Sequence, residues 1–136
     1  MIVVVDVRRY QCQHCDAVIT VVPSDIEPRR HYSRPAIALA LARFGLLGES
    51  PAAVRRVVSP WRVVCAEAAG RWITLGRWVT AVRAGALLPT TRASPACAAA
   101  RRIAERAAQG AAAHAPPTLR HLPLVAQAFH GAIRMA

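Results

Sequence analysis

Two β-branched runs flank the segment Arg8-Arg9-Tyr10-Gln11-Cys12-Gln13-His14-Cys15-Asp16, and this arrangement constrains the fold more than any other part of the chain. Residues 2–10 and 17–22 read as strands, and the four-residue thiol segment between them is short enough to force a hairpin. Two cysteines separated by two residues point at a common centre. Cys12 and Cys15 can therefore supply two of the four ligands of a tetrahedral zinc ion. A second Cys-x-x-Cys would complete the set, and the sequence has none. The missing ligands would come from His14, His31, Cys65, Cys97 or a second chain. Thioredoxin-type redox chemistry would place the pair at a helix start, where the thiol pKa falls, and here it lies between strands. Cys65 and Cys97 fall on apolar helical stripes and read as core residues.

Beyond residue 33 the texture becomes helical. Ser50-Pro51, Ser59-Pro60 and Ser94-Pro95 repeat one device, and Ser33-Arg34-Pro35 is a looser form of it. Serine caps the orphan N–H groups of a first turn, and proline fits the first helical position because its missing N–H costs nothing there. Helices are predicted over 34–44, 51–58, 60–70 and 71–84. Their inner faces carry Ile37, Leu41 and Phe44, then Val54, Val57 and Val58, then Trp61, Val64, Cys65 and Ala68, then Trp72, Leu75, Val79 and Val82. Trp78 lies at the border of the fourth helix and Thr74, Arg77 and Ala81 face outward. Gly45 and Gly48 read as breaks. Gly76 weakens its helix by roughly 1 kcal/mol relative to alanine. A Ser94-capped helix is expected to end at Gln109 with Gly110 as terminator, followed by a linker over 111–117 and a last helix over 123–133. The division is a hairpin and basic connector (1–31), a helix-turn-helix-like unit (32–88), and linkers with two C-terminal helices (89–136).

Charge narrows the partner. The chain has 18 basic and 7 acidic residues among 136, a formal net charge of +11. Every basic residue is arginine. A GC-rich genome favours arginine over lysine but does not explain the shortage of carboxylates, so the net charge points to a polyanion. Arg29, Arg30, Arg55, Arg56, Arg62, Arg71, Thr74, Arg77 and Arg83 are the candidate contacts to double-stranded DNA, because guanidinium forks match phosphates and guanine edges. The carboxylates are scattered, and no phosphate loop, nucleophile elbow or metalloprotease motif is present, so catalysis is not expected. No apolar run approaches the roughly 18 residues of a membrane span. There is no secretory signal, and a cytoplasmic location is expected.

The order of these motifs resembles a known family. The stretch from Arg8 to Ala17 is similar to the second knuckle of the zinc ribbons that lead many bacterial insertion-sequence transposases. Ala36-Ile37-Ala38-Leu39-Ala40-Leu41, Ser50-Pro51-Ala52-Ala53-Val54-Arg55-Arg56 and Gly70-Arg71-Trp72 look like the helix-turn-helix that follows such ribbons. The resemblance implies a mainly α fold: an N-terminal β-hairpin (half a zinc ribbon), then a helix-turn-helix-like bundle of short helices, then C-terminal helices. It implies a DNA-binding, transposase-associated or transposase-derived protein without a catalytic domain of its own. Zinc would be bound at an incomplete site, and the partner would be a second copy or a separate catalytic protein. The alternative is a helical interaction or oligomerisation module with no nucleic-acid role, assembled through the Ala-rich helices beyond Ser94.

Overall fold

The computed structural model describes residues 7–21, 32–59, 71–89, 95 and 97–135. The expected helix over 60–70, with Trp61 and Cys65, lies outside the described residues, as do Arg29, Arg30, Arg62, His31 and Ser94. Within the described residues the fold is mainly helical with an N-terminal antiparallel hairpin, as expected. Strands β1 (Arg8–Gln11) and β2 (Val18–Val21) pair in the register Arg8 with Val21, Arg9 with Thr20, Tyr10 with Ile19 and Gln11 with Val18. The helices are α1 (Arg34–Gly45), α2 (Pro51–Val58), α3 (Ile73–Arg83), α4 (Ala100–Ala113) and α5 (Leu124–Arg134), with a short 3-10 turn at Pro117–Leu119.

The serine caps act as the sequence suggests. Ser33 Oγ accepts from the Ala36 N–H at 3.4 Å, and Ser50 Oγ accepts from the Ala53 N–H at 3.2 Å. Each satisfies one of the N–H groups that a helix start leaves without a partner. Ser59 instead stands at the end of α2, where its N–H donates to the Arg55 carbonyl. Helix α3 stops in a Schellman turn. Gly85 takes a φ of 71°, its N–H reaches the Val82 carbonyl, and the Ala86 N–H reaches Ala81. The loop between α1 and α2 is closed by a bidentate fork from Arg43 to Glu49, with contacts of 2.9 and 2.6 Å.

Helix α1 packs most extensively against α4 and α5, and α4 and α5 pack against each other. These three form the centre of the molecule, with α2 against α1, and α3 against α4 and α1. One hydrophobic cluster holds Ile37, Ala38, Leu41 and Ala42 of α1, Ile103, Ala104, Ala107, Ala108 and Ala111 of α4, and Ala128 and Ala132 of α5. The 32–88 and 89–136 stretches therefore contribute to a single core. Alanine has little apolar surface to bury, so its usefulness here is geometric: small side chains let helix backbones come close, and dense packing replaces bulk. Two glycines mark the tightest approaches. A methyl on Gly45 would stand 2.3 Å from the Glu105 backbone nitrogen, and one on Gly131 would stand 1.9 Å from the Ala111 carbonyl oxygen.

Several expectations are corrected by this core. Gly45 is the last residue of α1, and its role is to admit α4. Gly110 does not end its helix: α4 continues to Ala113, and Ala111 and Ala112, expected in a linker, are buried. The N-cap of α4 is Ala99, which makes no side-chain cap. Trp78 is not at a border. It is 1% exposed and meets Tyr32 and Trp72 edge-to-face at 5.0 and 5.1 Å between ring centres. The Tyr32 hydroxyl donates to Ser59 Oγ at 2.9 Å, so this aromatic cluster ties the approach to α1 to the end of α2 and the start of α3. Trp72 is buried as expected but precedes α3 rather than lying within it. Val57, expected inside, is exposed. Cys97, expected in the core, is exposed as well.

Candidate nucleic-acid interface

Helix α3 has two unlike sides. Leu75, Trp78, Val79 and Val82 are buried. Ile73, Gly76, Arg77, Thr80 and Arg83 are exposed, and their spacing of three and four residues lines them up as one outward stripe. Arg71 is exposed just before the helix. Ile73 is 68% exposed, although it is β-branched and apolar. Gly76 is the second unusual member. A methyl built on it meets nothing within 4 Å, so no neighbour among the described residues demands a glycine there. Thr80 Oγ1 donates to the Gly76 carbonyl at 3.1 Å, which leaves the hydroxyl oxygen able to accept. Arg83 donates one N–H to the Ala98 carbonyl at 2.9 Å, which anchors it while its other donors stay outward.

Beside the stripe lies a groove of about 320 Å³. Its walls include Pro51, Ile73 and Ala100, the first residues of α2, α3 and α4, together with Arg71 and Phe44. Three helix starts thus border one depression, and each brings the partial positive end of its helix dipole. Arg101 adds a full charge. Its guanidinium sits 4.7 Å from the centre of the Phe44 ring, and one of its N–H groups donates to the Phe44 carbonyl at 3.0 Å. That bond caps the end of α1, where the helix dipole is negative. Carboxylates nearby do not cancel this field freely. Glu49 is held by Arg43 and Glu105 by Arg102, while Asp16 lies on the hairpin and accepts from Gln11.

The structure brings some of the sequence-predicted contacts together and separates others. Arg71, Arg77 and Arg83 share the α3 side, and Thr74 is half-buried beside them. Arg56 is exposed on α2, whereas Arg55 is half-buried and has an interaction of its own. Arg29, Arg30 and Arg62 lie outside the described residues. Sequence reasoning passed over Ile73, Gly76 and Arg101. The glycine was visible as a weak point in a helix, but only the fold shows that nothing among the described residues accounts for it.

The hairpin turn organises its two thiols. The Cys12 N–H donates to the Ala17 carbonyl at 2.9 Å, and the Asp16 N–H donates back to the Cys12 carbonyl at 3.0 Å. Asp16 takes a φ of 55°, the left-handed conformation that aspartate tolerates in tight turns. The His14 and Cys15 backbone N–H groups and the Cys15 thiol are directed at the Cys12 sulfur and hold its pKa below that of an ordinary cysteine. Two thiols alone do not satisfy zinc. Among the described residues no group of three or more His, Cys, Asp or Glu side chains is placed to hold a metal ion. No helix among them is long and apolar enough to cross a membrane. No family model matches the chain, and no curated protein or solved structure matches it either.

Proposed function

We propose that this chain binds double-stranded DNA through the outer stripe of α3 and the groove beside it, as a transposase-associated protein. The observation that carries the reading is Gly76. A glycine in an exposed helix interior costs about 1 kcal/mol relative to alanine, and no packing among the described residues requires it. It makes sense where an outside backbone must come close. Its neighbours suit a nucleic acid: Arg71, Arg77 and Arg83 for phosphates, Thr80 as an acceptor, and Ile73 for apolar contact with a sugar or a thymine methyl. The three helix starts around the groove favour the same anion. The resemblance of residues 8–17 and 32–88 to the regions that lead bacterial insertion-sequence transposases supplies the class of DNA protein.

The competing reading, an assembly module built from the Ala-rich helices, gains less from the fold. The apolar faces of α4 and α5 are occupied by α1 of the same chain.

Fluorescence anisotropy with a labelled duplex at two salt concentrations tests the proposal. Affinity is expected to fall steeply with salt, with a log–log slope of about −0.9 per neutralised phosphate. Arg77→Ala should lower the size of that slope by about 1. Gly76→Leu should raise helix stability yet weaken binding, because its side chain would fill the space the duplex needs. Binding that is absent, unaffected by salt, or unchanged in Gly76→Leu would overturn the reading.

A further inference from the structure

We propose that the outer side of α5, together with Leu39 of α1, docks an acidic amphipathic helix of another protein. The inference does not rest on the nucleic-acid reading, and the groove concerned shares no residue with the one beside α3. It starts from the make-up of α5. The side that packs on α1 and α4 holds Ala128, Gly131 and Ala132, all buried. The opposite side carries Ala126, Phe129 and Ile133, three and four residues apart, so they form one stripe. A helix that is apolar all round is normally enclosed on every side. Here Ile133 is 50% exposed and Phe129 is only half-buried. Gln127 does not make this helix polar toward water, because its amide donates back to the Arg120 and Leu122 carbonyls at 3.0 and 2.6 Å. Leu39, Pro123, Val125, Ala126, Phe129 and His130 border an open groove of about 460 Å³.

Charge selects the occupant. Residues 34–45 and 114–134 contain no carboxylate. The carboxylates among the described residues are Asp16, Glu49 and Glu105, and they are engaged by Gln11, Arg43 and Arg102. Arg120 stands exposed ahead of α5. Arg134 stands exposed at its last position, four residues after His130 and therefore beside it. The 11 residues of α5 span roughly 16 Å, so two guanidinium groups flank an uncharged apolar stripe of about three turns. The surface that matches is a helix with large apolar side chains at i, i+3 or i+4, and i+7, with carboxylates beside them. A second copy of this chain matches poorly. It would set Arg120 and Arg134 against a molecule with a formal charge of +11, and like charges across an interface oppose association.

The full-length chain and three labelled synthetic peptides make the test, read by fluorescence anisotropy. The first peptide has a leucine stripe at helical spacing and glutamate elsewhere. The second scrambles the same residues, and the third replaces every glutamate with lysine. The first is expected to bind saturably, about tenfold or more tighter than the other two. Ile133→Glu should weaken it about tenfold, as loss of a central apolar contact does, with helical circular dichroism retained. The joint change Arg120→Glu and Arg134→Glu should turn the preference toward the lysine peptide, which a merely disturbed fold would not do. Arg77→Ala, on α3, should leave the peptide affinity as it was. Failure of the first peptide to bind would overturn the proposal. So would equal binding of the scrambled peptide, since charge alone would then suffice, or equal binding of the lysine peptide, since apolar contact alone would. Indifference to Ile133→Glu would place the contact elsewhere. Sedimentation showing a dimer that Ile133→Glu splits would assign this side to a second copy and equally overturn it.

Discussion

The hairpin and the α1–α4–α5 core are opposites in composition and in burial. Residues 8–21 carry the chain's clearest chemical motif, and nearly every side chain there is exposed. Residues 100–134 are compositionally plain, dominated by alanine, and they supply much of what is fully buried. The contrast separates two meanings of an informative sequence. Cysteines and aromatic strands advertise chemistry, and a fold can display them on its outside. Repeated alanine advertises nothing, yet its uniform small size lets three helices press together until only glycine fits at two points. Stability is thus concentrated in α1, α4 and α5, and the chemistry faces outward on the hairpin and α3.

Removing residues 94–136 is the strongest way to break this comparison. It takes away two of the three central helices, and cooperative thermal unfolding followed by circular dichroism is expected to disappear altogether. Retention of a sharp transition would place the stabilising core elsewhere. Gly131→Ala should come next, with a loss of about 2–3 kcal/mol in denaturant unfolding, because its methyl would overlap the Ala111 carbonyl oxygen. Gly76→Ala sharpens the contrast with the opposite sign: a gain of about 1 kcal/mol is expected, since the same change in open space removes only a helix penalty. Smallest of all is Ile19→Ser, measured without zinc. An effect within about 0.5 kcal/mol on the main unfolding transition is expected for so exposed a position. A loss of several kcal/mol would show that the hairpin is part of the core after all.

What could be read from the residues divides along physical lines. Local signals were legible. The Ser50 cap sets the start of α2, the 3.6-residue period picks out Leu75, Val79 and Val82, and the β-branched flanks give the hairpin. Signals that depend on a distant partner were not. Gly45 looks like a helix break in sequence, but its meaning lies in Glu105, sixty residues further on. Gly110 looks like a helix stop, yet α4 continues through it to Ala113. Trp78 sits between faces on a helical wheel, and only the arrival of Tyr32 and Trp72 makes its position interior. The candidate interface follows the same rule. Arg77 and Arg83 emerge from periodicity, whereas the meeting of three helix starts at one groove is a product of tertiary arrangement that no spacing along the chain encodes.

The bond from Arg101 to the Phe44 carbonyl spans 57 positions, and it shows what the order of elements demands of synthesis. Helix α1 is made before the α4 and α5 surfaces that shelter it. While α2 and α3 leave the ribosome, the apolar side of α1 stays uncovered and open to chaperones or to other nascent chains. Long loops of this kind must close before their contacts can reward them, which slows folding relative to a bundle of sequential neighbours. Translation speed across the codons of α4 and α5 therefore bears on how long α1 remains uncovered.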